Sequence, residues 1–169
     1  MFVFAQLLTQ ICLFRRGPED LPTSNLLLGL LVALNILLSI TLYLYLTDLT
    51  LLRASTLVVA SLAGAAGLIW LVLSLMNFSQ RFVQTFTAMV GVDVILGLLN
   101  GLLTVFTLQE NGTYNTFGSF AWLALTIWNL SIYATIFQRA LEVHAAIGLG
   151  IALFVVLFSY AIGQVALTG

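Results

Sequence analysis

A single carboxyl group stands deep inside a long apolar stretch, RFVQTFTAMVGVDVILGLLNGLLTVF, residues 81–106. At helical spacing Asp93, Gly97, Asn100, Gly101 and Thr104 fall on one face. A carboxylate at bilayer depth costs several kcal/mol unless it is paired, hydrated or protonated, so Asp93 is expected to point toward other helices. Gly97 and Gly101 form a small-xxx-small pair on that same face, which lets another backbone come close. Asn35 in an earlier apolar run, and Asn129 or Ser131 in a later one, carry groups able to hydrogen-bond Asp93 across a bundle. Three roles fit such a residue: a carboxyl group bonded between helices, a relay for a proton or cation, or a contact with another subunit.

Other chemistry finds little material. His144 is the one histidine and Cys12 the one cysteine, whereas zinc takes three or four ligands, so no metal site is expected. No serine has a histidine at matching depth, and no second acid stands near Asp93 in the spans, so neither a nucleophile with its base nor a carboxylate pair is in view. The reading is therefore no catalytic residue, no cofactor and no enzyme. ASLAGAAG, residues 60–67, is glycine-rich but lies within an apolar helix; its Ala60/Gly64 and Ser61/Ala65 pairs suit close helix packing, not phosphate. Gly148 and Gly150 invite the same reading. Five arginines, no lysine and a net charge of −1 exclude a nucleic-acid partner.

The elements that must hold these residues follow from composition. With 62% hydrophobic and 7% charged residues and a mean hydropathy of +1.15, the chain lacks the charge needed to cover a water-facing surface. Lipid is the expected solvent. A hydrocarbon core of about 30 Å takes about 20 helical residues, and five runs reach that length: Asn25 to Leu46, Ser55 to Met76, Phe82 to Leu108, Phe117 to Phe137, and Val143 to Val165. They are continuous instead of alternating, which argues for helices over a barrel. The expected fold is all-α, a polytopic bundle of five transmembrane helices with consecutive helices as antiparallel neighbours.

Residues 1–24 form an interfacial helix and polar turn, and residues 25–169 the five-helix domain, the whole being one domain. Gln6, Thr9 and Gln10 make a polar stripe opposite Phe2, Val3, Phe4, Leu7, Leu8 and Ile11, the pattern of a helix lying in the interface, with a re-entrant or packed segment as the alternative. Arg15 and Arg16 are expected in its last turn, with Gly17-Pro18 as the stop. Pro22-Thr23-Ser24-Asn25 then offers capping oxygens to the first span. Arg15, Arg16, Glu19 and Asp20 mark a corner at the membrane surface, either a solvated turn or a docking site. Arg139 and Glu142 are spaced for an i, i+3 pair. Asn111-Gly112-Thr113 reads as a tight turn and, formally, a glycosylation acceptor. With the N-terminus in the cytoplasm, Arg15, Arg16, Arg81 and Arg139 lie inside and only Arg53 outside, which satisfies the positive-inside rule and puts the C-terminus outside.

RFVQTFTAMVGVDVILGLL opening the third span, and WNLSIYATIFQRALEVHAAIGLGIALFVVLFSYAI joining the last two, resemble the Yip family of five-pass membrane proteins, over residues 20–165. Eukaryotic members interact with Rab GTPases and carry an Asp-Leu-Tyr-Gly-Pro motif that this chain lacks. The resemblance implies a membrane adaptor acting by helix contacts, in a bacterial inner membrane. The expected function is a non-catalytic interaction or scaffold protein, an accessory subunit of a larger membrane complex. Its partners would be the lipid bilayer and other membrane proteins or further copies of itself. The alternative is a small transporter or channel with Asp93 and Asn100 in a polar path.

Overall fold

The computed structural model describes residues 2–108 and 114–168. Six α-helices follow in order: α1 (Phe2–Cys12), α2 (Asn25–Leu46), α3 (Leu51–Leu75), α4 (Phe82–Thr107), α5 (Thr116–Leu141) and α6 (Ala145–Thr168). No strand occurs among the described residues; one isolated bridge joins Leu108 to Tyr114 across the α4–α5 connection. The last five helices are long and apolar enough to cross a membrane, and the protein is an all-α integral membrane bundle. The Asn111-Gly112-Thr113 reading falls outside the described residues.

Local chemistry sets the helix ends. The Ser24 hydroxyl accepts from Leu27 N–H at 3.3 Å, and the Asn115 side chain accepts from Gly118 N–H at 2.7 Å, each satisfying a free donor of the first turn. Thr50 caps α3 in the same way, so this helix starts at Leu51, before the expected Ser55, and takes Arg53 into its first turn. At the other end, three helices stop on a non-glycine residue in the left-handed region: Phe14 at φ 60°, Asn77 at 62° and Glu142 at 56°. After α1, Arg15 N–H donates to Gln10 C=O at 2.9 Å and Phe14 N–H to Ile11 C=O at 3.0 Å, a Schellman stop. The expected stop at Gly17-Pro18 is thus corrected. Arg15 and Arg16 lie beyond the helix because Phe14 has already turned the chain. Glu142 likewise carries α5 past the expected Phe137 to Leu141.

The five spans form a closed ring in the order α2, α3, α6, α5, α4 and back to α2. Short connections make the spans alternate in direction, and a ring with an odd number of alternating members must contain a parallel pair. That pair is α2 and α4. A Cβ on Gly97 would lie 2.9 Å from Leu38, and one on Gly101 3.3 Å from Leu42, so the contact advances along both helices in the same sense. Here the expectation that consecutive spans are neighbours is corrected, since α3 and α4 touch only lightly across the ring. Met76–Arg81 between them can reach across at up to about 3.3 Å per residue.

Glycines also line the α5–α6 and α3–α6 seams. A Cβ on Gly148 would meet the Ala134 carbonyl oxygen at 2.6 Å, and one on Gly64 would meet Ile162 at 2.6 Å. These are the backbone approaches that small residues permit between helices in lipid. Gly150, read from sequence as an equivalent position, has nothing within 4 Å of its Cβ direction. It faces outward, being two residues and thus about 200° around the helix from Gly148.

α4 carries the most buried surface, with Ala88, Met89, Val90 and Val92 all buried. Its buried Thr85, Thr87 and Thr107 each donate to the carbonyl four residues back, so they carry no unmet hydroxyl into the core. α1 lays Leu8, Ile11 and Cys12 against the bundle and leaves Gln6 and Thr9 exposed. Leu8 seats over Gly91 of α4, and the Trp128 indole donates to the Cys12 carbonyl at 3.0 Å. The apolar side of α1 therefore meets protein as well as any lipid. Burial pushes the Cys12 thiol up to about 11.

Two outcomes are expected. Gly148→Ala forces a methyl group into a carbonyl that cannot rotate away, and should destabilise the protein by about 1–3 kcal/mol, whereas Gly150→Ala should be neutral or stabilising by up to about 1 kcal/mol. Thermal unfolding in mild detergent compares them. Iodoacetamide at pH 8 should label Cys12 at least about tenfold more slowly than a small-molecule thiol, and Trp128→Phe, by loosening α1, should speed it.

Candidate functional site

Inside the ring lies a cleft of about 560 Å³ to which every span contributes lining residues. Its polar wall is the face of α4 foreseen from sequence. Asp93 Oδ1 accepts a hydrogen bond from the Tyr133 hydroxyl at 2.5 Å and a longer one from the Asn129 amide at 3.3 Å. Asn129 and Tyr133 stand i, i+4 on α5 and so share the face turned to α4. Asp93 is half-buried and not sealed, because it borders the cleft.

Of the partners expected for Asp93, Asn129 is correct. Ser131 is not: it sits outside this face and its hydroxyl donates to Ile127 C=O at 2.8 Å. Asn35 borders the same cleft from α2 and is 8% exposed, yet it makes no hydrogen bond among the described residues. Asn100 also lines the cleft, and its Oδ1 is buried without a partner. Gly97 lines it too, while Gly101, one turn on, serves the α2 contact. Tyr133 was the residue missed from sequence. Its i, i+4 relation to Asn129 was the available signal, hidden because a tyrosine in an apolar run reads as bulk.

The predicted surface corner is a clasp. Glu19 pairs with Arg139 of α5 at 3.3 Å. Asp20 accepts from Gly17 N–H at 3.2 Å and lies 3.6 Å from Arg16, while Arg15 makes no ion pair among the described residues. Gln84 of α4 donates to Leu21 C=O at 2.8 Å, fixing the turn to the bundle. The expected Arg139–Glu142 pair is corrected: Glu142 pairs instead with Arg81 at 2.6 Å. Arg81 also donates to Ala140 C=O at 3.0 Å and lies 4.7 Å above the Phe78 ring. It thereby serves the free carbonyl end of α5. His144 is exposed and its Nδ1 accepts from Ala146 N–H at 3.5 Å, at the start of α6. Among the described residues no group of three potential metal ligands gathers.

Comparison with known proteins returns no match, whether to a family model, to a curated protein or to a solved structure.

Tyr133→Phe removes the shorter of the two bonds to Asp93 and should destabilise the folded protein by about 0.5–2 kcal/mol. Because the two groups act as one unit, Tyr133→Phe combined with Asp93→Asn should cost less than the sum of the single changes. Thermal unfolding of the four proteins in nanodiscs measures the coupling.

Proposed function

We propose that this protein is a non-catalytic membrane adaptor or accessory subunit that acts by helix contacts, in a bacterial inner membrane with its N-terminus in the cytoplasm. Three outward glycines carry the reading. Gly29 on α2, Gly67 on α3 and Gly150 on α6 lie inside helices, and among the described residues, their own helical turns aside, nothing comes within 4 Å of their Cβ directions. A glycine inside a helix costs roughly 0.5–1 kcal/mol relative to alanine, and here no contact within the chain offsets that. The three helices are consecutive around the ring, and each glycine lies within about 12 Å of the α1-side end of its helix. A second membrane protein laying more than one helix on this side would meet all three. The resemblance to the Yip family points to the same kind of role, and the arginine distribution supports the orientation.

Purification in a gentle detergent, followed by mass identification, tests this. A partner at fixed stoichiometry is expected, lost on Gly67→Leu and kept on Leu102→Ala, a change on the exposed side of α4. A protein that stays alone under these conditions, or a partner indifferent to Gly67→Leu, overturns the proposal. The cleft favours a second reading, transport through the ring past Asp93 and Asn100; flux into proteoliposomes that Asp93→Asn abolishes would support it.

A further inference from the structure

The cleft has a chemistry of its own, independent of any partner on the outer surface. Asp93 is its one ionisable carboxyl group, and no basic residue lines it. Oδ1 takes both the Tyr133 and the Asn129 hydrogen bonds, and Oδ2 takes none among the described residues. Across the cleft Asn35, a residue 8% exposed, also makes no hydrogen bond among the described residues. Asn100 Oδ1, which also lines the cleft, is buried without a partner among the described residues, and such an atom is not left unmet in a low-dielectric interior without a reason.

The mouth of the cleft opens sideways. α5 and α6 meet tightly where Gly148 touches Ala134 and Gln138. In the other half of the bundle α6 leans on α3, with Gly64 against Ile162 and Gly163 against Ser61 and Leu57. There Trp122 of α5 and Leu157 of α6 line the cleft yet are 46% and 64% exposed. This seam faces hydrocarbon, so whatever enters must dissolve in the bilayer.

We infer that the cleft is a binding site for an organic cation with an apolar body, an ammonium or phosphonium compound that enters from the bilayer between α5 and α6 and sets its charge beside Asp93. An anion would be repelled by the carboxylate, and a neutral lipid would leave it without a counter-charge. A bare metal cation holds its water strongly and needs several oxygen ligands to replace it, a cost that one carboxylate among neutral oxygens offsets poorly. An organic cation spreads its charge and sheds water at small cost. The volume of about 560 Å³ falls in the range of ligand pockets, roughly 300–1,000 Å³. Aromatic side chains of Trp122, Phe86 and Tyr43 also line it, a setting that attracts such cations through their ring faces.

The test is equilibrium dialysis of radiolabelled tetraphenylphosphonium against the full chain in phosphatidylcholine nanodiscs, an uncharged bilayer that adds no attraction of its own. Saturable binding near one per protein is expected, with affinity at least about tenfold weaker for Asp93→Asn. Neutral triphenylphosphine oxide should fail to compete. Leu157→Trp keeps the carboxylate but narrows the mouth from an exposed position, so it reads the site even where Asp93→Asn does not fold; it too should bind weakly. Binding no greater than that of empty nanodiscs overturns the inference, as does equal binding by Asp93→Asn or Leu157→Trp, or full competition by the neutral compound. None of these results depends on whether a protein partner exists.

Discussion

In hydrocarbon, moving a leucine from lipid to protein gains almost nothing, so the helices of this bundle are held by how closely their backbones approach. That one constraint explains why glycines occupy the seams. Gly97 and Gly101 admit Leu38 and Leu42 of α2, Gly64 admits Ile162, and Gly148 lies on the backbone of Ala134 and Gln138. Each seam gains dispersion contacts that a larger side chain would hold apart. The many leucines that dominate the composition face outward in large part: Leu26, Leu37, Leu52 and Leu75 are all strongly exposed.

The cleft follows from the way the seams are placed. α6 meets α5 through Gly148 at the α1 side and α3 through Gly64 and Gly163 at the other, where Trp122 of α5 and Leu157 of α6 line the cleft and are exposed. Five helices around one axis leave space at the centre that glycine contacts on the rim cannot fill. α4, the most buried helix, turns its polar face into that space, where Tyr133 and Asn129 of α5 meet Asp93. Two hydrogen bonds to Oδ1 reduce the penalty of a carboxyl group at bilayer depth, and Oδ2 takes none among the described residues.

At the α1 side, polar groups do what burial cannot. Arg81 takes the carbonyl end of α5 and pairs with Glu142, and the Glu19–Arg139 pair and the Gln84 bond hold the polar turn to α4 and α5. The exposed ion pairs are worth little singly. The hydrogen bonds to otherwise unmet carbonyls fix the arrangement more firmly, since water competes less well at a helix end already covered by side chains.

Composition and the lengths of the apolar runs were enough to determine five spans in lipid, because a bilayer core leaves few lengths and only helices or barrels to choose from. Helical spacing alone also placed Asp93, Gly97 and Asn100 on one face and left Asn35, Asn129 and Ser131 as candidate partners, while Ser24 could be read as a cap. Tertiary structure decided what depends on a neighbour: that Asp93 takes Tyr133 and not Ser131, that Gly148 packs while Gly150 does not, that Arg139 pairs with Glu19, and that α2 lies parallel to α4. Each of these is set by the rotation and order of helices around the ring. Those variables are fixed by contacts between residues far apart in the chain, and the period of a single helix carries no record of them.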